Sequence, residues 1–290
     1  MTTNSKRSPR SIQLQNGVEL PLVGLGTFKS HGQDLRNTIK RALAIGVRHI
    51  DTAAVYKNES EIADALEEAD IAREDVFITS KIGPHQHGTE KATLACEEIL
   101  TRLRVDYLDL LLIHWPGVAK MDVKSVRNSH KRLETWRVVE DLYKAGRCKA
   151  IGVSNYEEGH LAELLEMAEI RPMVNQIEVH PRFQQTRLRT YCDERELAVI
   201  AYASLGCGDL LSHDVVLKVA ESHGKTAAQV LLRWGLQQGC AVIPKTVHEK
   251  YVEQYSEEAL LSWQLSDDDM ELLNVLEDGH KYCWNPAPIQ

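Results

Sequence analysis

The sequence predicts an α/β fold: a single (β/α)8 TIM barrel with an N-terminal β-hairpin capping the barrel bottom. The first observation is the apolar run at residues 108–113, which fits a strand buried on both faces, as in a parallel sheet covered by helices. The second is that eight strand-like segments alternate with helical patterns. The third is that several of these strands end in polar, titratable residues, and the catalytic residues of barrel enzymes lie at the carboxyl ends of the strands.

The length and composition of the chain are those of a globular protein. The 290 residues are 43% hydrophobic and 26% charged, which is ordinary for a large folded core. The net charge of −8 offers no basic surface for nucleic acid, and no apolar run approaches the roughly 18 residues of a membrane span. The six cysteines form no Cys-x-x-Cys pair, which predicts free thiols in a reducing compartment. We therefore expect a cytoplasmic protein without nucleic-acid or membrane partners.

The N-terminal region divides into a tail and a hairpin. Residues 1–10 are polar and basic but lack the apolar core of a signal peptide, so we predict a disordered tail. Residues 11–290 are predicted to form the barrel domain. A hairpin is predicted at 11–23, where Asn16-Gly17 separates two alternating segments and both turn positions should take positive φ.

The barrel elements follow from hydrophobic period and turn residues. Strands are predicted at 22–27, 47–51, 76–81, 108–114, 150–155, 172–179, 197–203 and 241–245. Helices are predicted at 33–45, 60–69, 89–103, 133–145, 158–168, 185–195, 215–222, 226–238 and 266–276. Residues 117–129 and 204–214 are predicted as loops, and 278–290 as a surface tail. The shortness of the second loop predicts fast exchange of any ligand beneath it.

Four residues at or just after the ends of the second, third and fourth strands suit proton donation to a carbonyl oxygen. They are Asp51, Tyr56, Lys81 and His114. A free tyrosine has a pKa near 10, and a nearby ammonium group lowers it. Lys81 is expected to do this, Asp51 to hold Lys81, and His114 to orient the carbonyl. Each alone has a structural explanation, such as packing for Tyr56 or capping for Asp51, but four such residues at convergent strand ends indicate one site.

Other residues at strand ends suit a cofactor. Amides and hydroxyls can hold a carboxamide, an aromatic ring can stack, and a cation with a hydroxyl can bind phosphate. These residues are Ser154, Asn155, Gln176, Tyr202, Lys245 and Thr246. Helix capping for the Ser-Asn pair and a surface charge for the lysine are the structural alternatives. No Gly-x-Gly-x-x-Gly motif supports a Rossmann domain.

These residues lie in motifs that resemble the aldo-keto reductase superfamily over almost the whole chain. The matching stretches are Gly24-Leu-Gly-Thr-Phe-Lys29, Gly46-Val-Arg-His-Ile-Asp51-Thr-Ala-Ala-Val-Tyr56-Lys-Asn-Glu59, Ser80-Lys81, Leu112-Ile-His114-Trp-Pro116, Ala150-Ile-Gly-Val-Ser-Asn155-Tyr156, Val174-Asn-Gln176-Ile-Glu-Val-His-Pro181 and Ile243-Pro-Lys245. The resemblance implies NAD(P)H-dependent carbonyl reduction by a monomeric barrel. It implies Tyr56 as the acid, Asp51 and Lys81 as its tuning pair, and His114 as the residue that positions substrate.

The resemblance also implies the cofactor and substrate contacts. The implied cofactor-binding residues are Thr27, Ser154, Asn155, Gln176, Tyr202, Ser204, Leu205, Lys245 and Thr246. The implied substrate-binding residues are Phe28, His114 and Trp115, with the tail near Trp284 completing an apolar pocket. No metal is implied.

The chain departs from the family pattern at three positions. Phe28 stands where many members have Trp, Ala203 where many have Ser, and Tyr251 where an arginine often binds the 2′-phosphate. Lys250 and His248 lie nearby and are candidates to replace that arginine. NADPH is the expected cofactor, and NADH remains the alternative.

The prediction is an NADPH-dependent oxidoreductase of the alcohol dehydrogenase (NADP+) type. It is expected to reduce small-molecule aldehydes, dicarbonyls or ketones, as a cytoplasmic monomer. A cofactor-binding regulatory subunit with little turnover is the first alternative. A metal-dependent barrel hydrolase using His49-x-Asp51 and His85-x-His87, and a purely structural role, are the others.

Overall fold

The computed structural model describes residues 10–290 of the chain. Residues 1–9 of the predicted tail lie outside the described residues. Two strands form the hairpin, β1 (Ser11–Gln13) and β2 (Glu19–Pro21). The barrel strands are β3 (Leu25–Gly26), β4 (His49–Asp51), β5 (Phe77–Ile82), β6 (Leu108–Ile113), β7 (Cys148–Ser154), β8 (Val174–Glu178), β9 (Ala198–Tyr202) and β10 (Ala241–Val242).

The predicted (β/α)8 barrel is confirmed. The eight strands β3 to β10 pair in chain order, and every pair is parallel. The sheet closes on itself through parallel bridges from Val23 to Val242 and from Gly26 to Lys245. Closure needs a close approach at Gly26, where a Cβ atom would lie 2.8 Å from the Ile243 carbonyl oxygen. The carboxyl ends of all eight strands therefore surround one rim.

The hairpin precedes β3 and so lies at the opposite end, the bottom of the barrel. Its turn is stabilised by a hydrogen bond of 2.9 Å from Leu14 N to Val18 O. The expectation of positive φ at both turn residues is wrong, because only Gly17 adopts it, at 84°. The Asn16 side chain instead accepts a hydrogen bond from Val18 N and donates one to Lys149 O, which ties the turn to the barrel.

Helices surround the sheet. They are α1 (Gly32–Ala44), α2 (Glu59–Glu68), α3 (Thr89–Leu103), α4 (Arg127–Lys144), α5 (Glu158–Met167), α6 (Thr186–Asp193), α7 (Asp214–His223), α8 (Ala227–Gln237), α9 (Glu249–Val252), α10 (Glu257–Leu261) and α11 (Asp267–Asn274). Strand β6 is buried at every position, and its leucines and isoleucine pack among apolar helix faces. Its one charged residue, Asp109, is paired with Arg73 at 2.6 Å. Within residues 10–290, no helix combines the length and apolarity needed to cross a membrane.

The differences from prediction lie in polar segments. Helix α4 begins at Arg127, not near 133, and the Asn128 side chain bonds the preceding loop through Val118 N and Asp122 O. Helices α9 and α10 were not predicted, because short polar helices have weak periodicity. The predicted loop at 204–214 contains a 3-10 segment, Gly206–Ser212.

The C-terminal segment is a surface tail that hydrogen bonds attach to the barrel. The Ile289 carbonyl oxygen lies 2.7 Å from His160 Nε2, and Arg132 donates to the Gln290 carbonyl oxygen at 2.8 Å. Tyr282 N donates to the buried Glu178 carboxylate at 2.6 Å. The predicted surface tail is confirmed, since residues 278–290 contain no helix or strand and most of them are exposed, but polar partners on the barrel hold its backbone in place.

Candidate active site

A buried ion pair lies at the centre of the rim. Asp51 ends β4 and Lys81 lies in the neighbouring β5, so both reach the same end of the barrel. Lys81 Nζ lies 2.6 Å from Asp51 Oδ1 and donates to the Thr52 carbonyl oxygen at 2.8 Å. Gln176 Nε2 donates to the other carboxylate oxygen of Asp51 at 2.8 Å. Because both charges are removed from water, these bonds are needed to offset the cost of burial.

Tyr56 lies directly beside this pair. It ends a 3-10 turn, Ala54–Tyr56, that follows β4 and is terminated by Lys57 in the left-handed conformation. Its ring centroid lies 5.1 Å from Lys81 Nζ and 5.7 Å from the His114 ring centroid. The structure thus brings together the four residues predicted from separate strand ends.

The electrostatics of the tyrosine differ from expectation. Burial raises the pKa of Tyr56 well above 10, and the negative charge of Asp51 raises it further. The predicted lowering of this pKa is wrong, because burial and the Asp51 carboxylate, which lies 2.6 Å from the ammonium group, outweigh the opposing charge of Lys81. The hydroxyl group therefore stays protonated throughout the neutral pH range and can act as a proton donor.

His114 is neutral near pH 7. Burial lowers the pKa of its imidazole well below 6.5, and the charge of Lys81 lowers it further. Its Nδ1 has no hydrogen-bond partner among the described residues, although the atom is buried. A neutral imidazole keeps one N–H donor, so this side chain can donate to an oxygen that enters the site.

These pKa directions predict a flat pH profile for reduction. Tyr56 loses its proton only as pH rises through its raised pKa, and His114 gains charge only as pH falls through its lowered pKa. The kcat for carbonyl reduction is expected to change little between about pH 6 and about pH 9. Steady-state kinetics at saturating cofactor measure it. A titration near neutral pH in kcat would show that one of these two directions is wrong.

The predicted carboxamide-binding residues form a connected network on the next strands. Tyr202 donates to Asn155 Oδ1 at 2.6 Å, and Asn155 Nδ2 donates to Ser154 Oγ and to the His114 carbonyl oxygen. Asn155 has a φ of 64°, in the left-handed region that few residues other than glycine adopt. The hydrogen bonds of its side chain help to hold the backbone in this conformation. Gln176 contacts Asp51, and so it links this network to the ion pair.

The predicted phosphate-binding end carries two lysines, Lys245 and Lys29. Lys245 follows β10, and the positive charge of Lys29 adds to burial in lowering the pKa of Lys245. Thr246 is buried, and its hydroxyl accepts a hydrogen bond from His248 N at 3.1 Å. Two lysines that repel each other without an intervening carboxylate are suited to an anion such as a phosphate. The sequence reading assigned no role to Lys29.

The remaining predicted cofactor residues connect these two ends. Thr27 is buried, and its hydroxyl donates to the Asp51 carbonyl oxygen at 2.9 Å. Ser204 donates to the Ala201 carbonyl oxygen, and Leu205 packs partly against the core. Cations at one end, and a flat tyrosine ring with amides at the other, fit an extended dinucleotide.

Apolar rings border the predicted substrate side. Phe28 lies 5.1 Å from the Tyr56 ring centroid and is 53% exposed. Trp115 contacts Trp284 edge to face at 5.9 Å, and Trp284 is 79% exposed. These exposed rings around the tyrosine leave the site open to small carbonyl compounds with apolar parts.

One of the pairs considered as metal ligands, His49 and Asp51, already has partners within the barrel. His49 Nε2 bonds Thr79 Oγ1 at 2.9 Å, and burial lowers the pKa of His49 to about 4. No group of three or more His, Cys, Asp or Glu side chains suited to hold a metal ion occurs within residues 10–290.

Glu178 is a residue that sequence reasoning missed, although it lies in a quoted motif. It ends β8, is fully buried, and accepts hydrogen bonds from Tyr282 N at 2.6 Å and Cys283 N at 3.2 Å. Lys281 lies 3.3 Å from its second oxygen. An acidic residue at the end of a buried strand could have marked Glu178 as a candidate. Its partners could not be predicted, because they lie about 100 residues further along the chain.

Replacing Glu178 should release the C-terminal segment. Glu178→Gln exchanges one acceptor oxygen for an amide that cannot accept, so a backbone N–H loses its partner at a cost of about 1–3 kcal/mol. Limited trypsin digestion should then cut after Lys281 faster than in the wild type. Glu166→Gln, at an exposed position of α5, is the matched control. Equal cleavage of both variants would show that Glu178 does not anchor the segment.

Comparison with known proteins finds one family throughout. A sequence model described as the Aldo/keto reductase family matches residues 22–278. Glyoxal reductase of Bacillus subtilis is 43% identical over 96% of this chain and 97% of its own. An aldo-keto reductase from a Medee basin deep-sea metagenome library superposes with a TM-score of 0.87 and 37% identity, over 95% of this chain and 97% of that one. An aldo-keto reductase solved in complex with NADPH superposes with a TM-score of 0.83 and 33% identity, over 95% and 90%.

Proposed function

The chain belongs to the aldo/keto reductase family, and from this premise we propose that it is an NADPH-dependent reductase of small aldehydes and dicarbonyls with Tyr56 as proton donor. The observation that carries the proposal is the position of the protonated Tyr56, whose ring lies beside the buried Asp51–Lys81 pair and the neutral His114. The convergence of these four side chains on one rim supports a catalytic rather than a structural arrangement.

The chain's own residues divide the work of proton delivery. When bound, NADPH supplies the hydride that reduces the carbonyl carbon. His114 donates its N–H to the carbonyl oxygen and so orients it. Tyr56 gives its proton to the same oxygen as negative charge develops there. An alkoxide is a stronger base than a phenolate, so this transfer is favourable even with a raised tyrosine pKa, and Lys81 then stabilises the phenolate.

Small carbonyl compounds are the proposed substrates. Phe28 and Trp284 are exposed at the rim, so the apolar walls stand apart and form no deep enclosed slot. Glyoxal reductase, a relative of similar length, carries the name of a small dicarbonyl in its activity. We propose glyoxal-type dicarbonyls and small aldehydes over bulky ketones.

The test is NADPH consumption with a panel of dicarbonyls, aldehydes and ketones, each repeated with NADH. The proposal expects the highest kcat/KM with small dicarbonyls or aldehydes. Turnover confined to bulky ketones would contradict the substrate class. Tight NADPH binding with no turnover would favour the regulatory-subunit alternative. The monomeric state and cytoplasmic location belong to the same proposal, and light scattering of the purified protein and cell fractionation test them.

The cofactor preference depends on Lys245 and Lys29, since Tyr251 replaces the arginine that often binds the 2′-phosphate. Lys245→Met should raise the Kd for NADPH about 10- to 100-fold, because a charge-assisted bond to phosphate contributes about 1.5–3 kcal/mol. Fluorescence titration measures it. Lys218→Met, an exposed lysine on α7, is the control and should not change Kd. An unchanged Kd in Lys245→Met would place the phosphate elsewhere.

A further inference from the structure

Two segments from opposite sides of the site meet beside the proposed cofactor cleft. One is the 3-10 segment Gly206–Ser212, which follows the predicted stacking residue Tyr202. The other is the C-terminal segment at Tyr282. The Tyr282 hydroxyl donates to Asp209 Oδ2 at 2.5 Å, and a Cβ atom on Gly206 would lie 3.0 Å from the Tyr282 ring. The two segments are therefore in direct contact.

Each segment carries a cysteine at this contact. Cys207 lies between Gly206 and Asp209, and Cys283 follows Tyr282 directly. The Cys283 backbone is held in place by its hydrogen bond of 3.2 Å to the buried Glu178. Tyr282, the neighbour of Cys283, contacts Gly206 and Asp209 on either side of Cys207, so the two cysteines lie at the same junction, close enough for each to perturb the pKa of the other.

The pair differs from the other cysteines in accessibility. All six thiols are free, and Cys96, Cys148, Cys192 and Cys240 are buried in the core. Cys207 is exposed and Cys283 is partly exposed. A thiol reacts only where reagents can reach it, so Cys207 and Cys283 are the two cysteines open to modification.

The two thiols are also unequal. Burial raises the pKa of Cys207, but the neighbouring Cys283 thiol and the charge of Lys29 oppose that rise. Burial and the charge of Glu178 raise the pKa of Cys283 to about 12. Cys207 therefore reaches the thiolate form first, which makes it the attacking thiol and Cys283 the resolving thiol.

We propose that Cys207 and Cys283 form a reversible intramolecular disulfide, with a low-molecular-weight disulfide as oxidant, and that this bridge slows cofactor exchange. In the first step the Cys207 thiolate attacks one sulfur of the oxidant, breaks its S–S bond and releases one thiolate, which takes a proton. In the second step Cys283 loses its proton and displaces the second thiol from Cys207. Two protein thiols lose two electrons, and the oxidant is reduced to two thiols.

The location explains the effect on exchange. Cys207 follows the predicted cofactor residues Ser204 and Leu205, and Cys283 precedes Trp284 on the substrate side. Cys283 is close enough to Tyr56 and Tyr202 for its charge to raise the pKa of both. A covalent bridge here joins the cofactor side of the rim to the substrate side, so the two segments can no longer separate. The predicted effect on cofactor exchange rests on the proposed use of NADPH, whereas the formation of the disulfide does not.

The experiment incubates the protein with oxidised glutathione at about pH 8.5, where more of the Cys207 thiol is ionised. A non-reducing tryptic map should show the peptide at 196–218 linked to the peptide at 282–290. NADPH release, followed by stopped-flow fluorescence, should slow about tenfold or more and recover with dithiothreitol. Cys207→Ser should keep the release rate of the reduced protein and lose the response to oxidant. Cys283→Ser should stop at a mixed disulfide on Cys207.

Three results would overturn the proposal. The linked peptides do not form, or they form without slower release, or Cys207→Ser responds to oxidant like the wild type. If the reduced protein fails to bind NADPH at all, the proposed function fails. The peptide map still decides on the disulfide in that case, so the two failures are distinguishable.

Discussion

Tyr56→Phe is expected to lower kcat for aldehyde reduction by about 10²- to 10⁴-fold, the usual contribution of a general acid. The substitution removes only the hydroxyl, so the ring keeps its contacts with Phe28 and His114. NADPH affinity should therefore stay within about twofold of the wild type, because Lys245 and Lys29, the proposed phosphate-binding residues, are unchanged.

Single-turnover kinetics and a fluorescence titration of NADPH measure the two effects separately. Tyr191→Phe, on helix α6 away from the rim, is the matched control and should leave kcat unchanged. If Tyr56→Phe retained most of its activity, the proton would have to come from His114 or water. If it lost NADPH binding as well, the loss of kcat could not be assigned to the proton donor.

Lys81→Met is expected to destabilise the fold by about 3–5 kcal/mol, because it leaves the Asp51 carboxylate buried without its cation. Lys81 is fully buried and Asp51 nearly so, so little solvent is available to replace the lost partner. Activity should fall as well, since the phenolate of Tyr56 would lose the ammonium that stabilises it.

Urea denaturation measures the change in the free energy of unfolding. The double variant Asp51→Asn with Lys81→Met should recover part of the loss, because it removes the unpaired charge. Lys144→Met breaks an exposed pair with Glu169 at 2.8 Å and should cost much less than Lys81→Met, because solvent screens the exposed charges. Equal losses for Lys81→Met and Lys144→Met would show that the buried pair contributes no more than a surface pair.

Local patterns were sufficient to predict the barrel. The apolar run of β6 and the alternation of strand and helix periods predicted the parallel closed sheet. Once the strands are parallel, their carboxyl ends must share one rim, so Asp51, Lys81 and His114 could be grouped without coordinates. Chain order and side-chain chemistry carry this information directly, because each strand needs only its own residues to be recognised.

The hairpin turn and helix α4 show where local patterns were insufficient. Asn16-Gly17 marked the turn, but the bond of Asn16 to Lys149 O decided its conformation. Helix α4 gained its first turn and a half beyond the periodic segment, where Asn128 bonds the preceding loop. In both cases a polar side chain found a partner that sequence spacing does not reveal.

The sequence by itself determined the fold class and the four candidate catalytic residues, since both follow from apolar period, residue type and strand ends. Thr27, Phe28, Trp115, Ser204 and Leu205 were added only by the resemblance to the family. Only the tertiary structure decided the protonation of Tyr56, because burial and the nearby Asp51 outweigh the opposing charge of Lys81. It also decided that Glu178 holds the C-terminal segment and that Cys207 and Cys283 lie at the same junction. Desolvation and contacts between residues distant in the chain depend on three-dimensional packing, which no local pattern encodes.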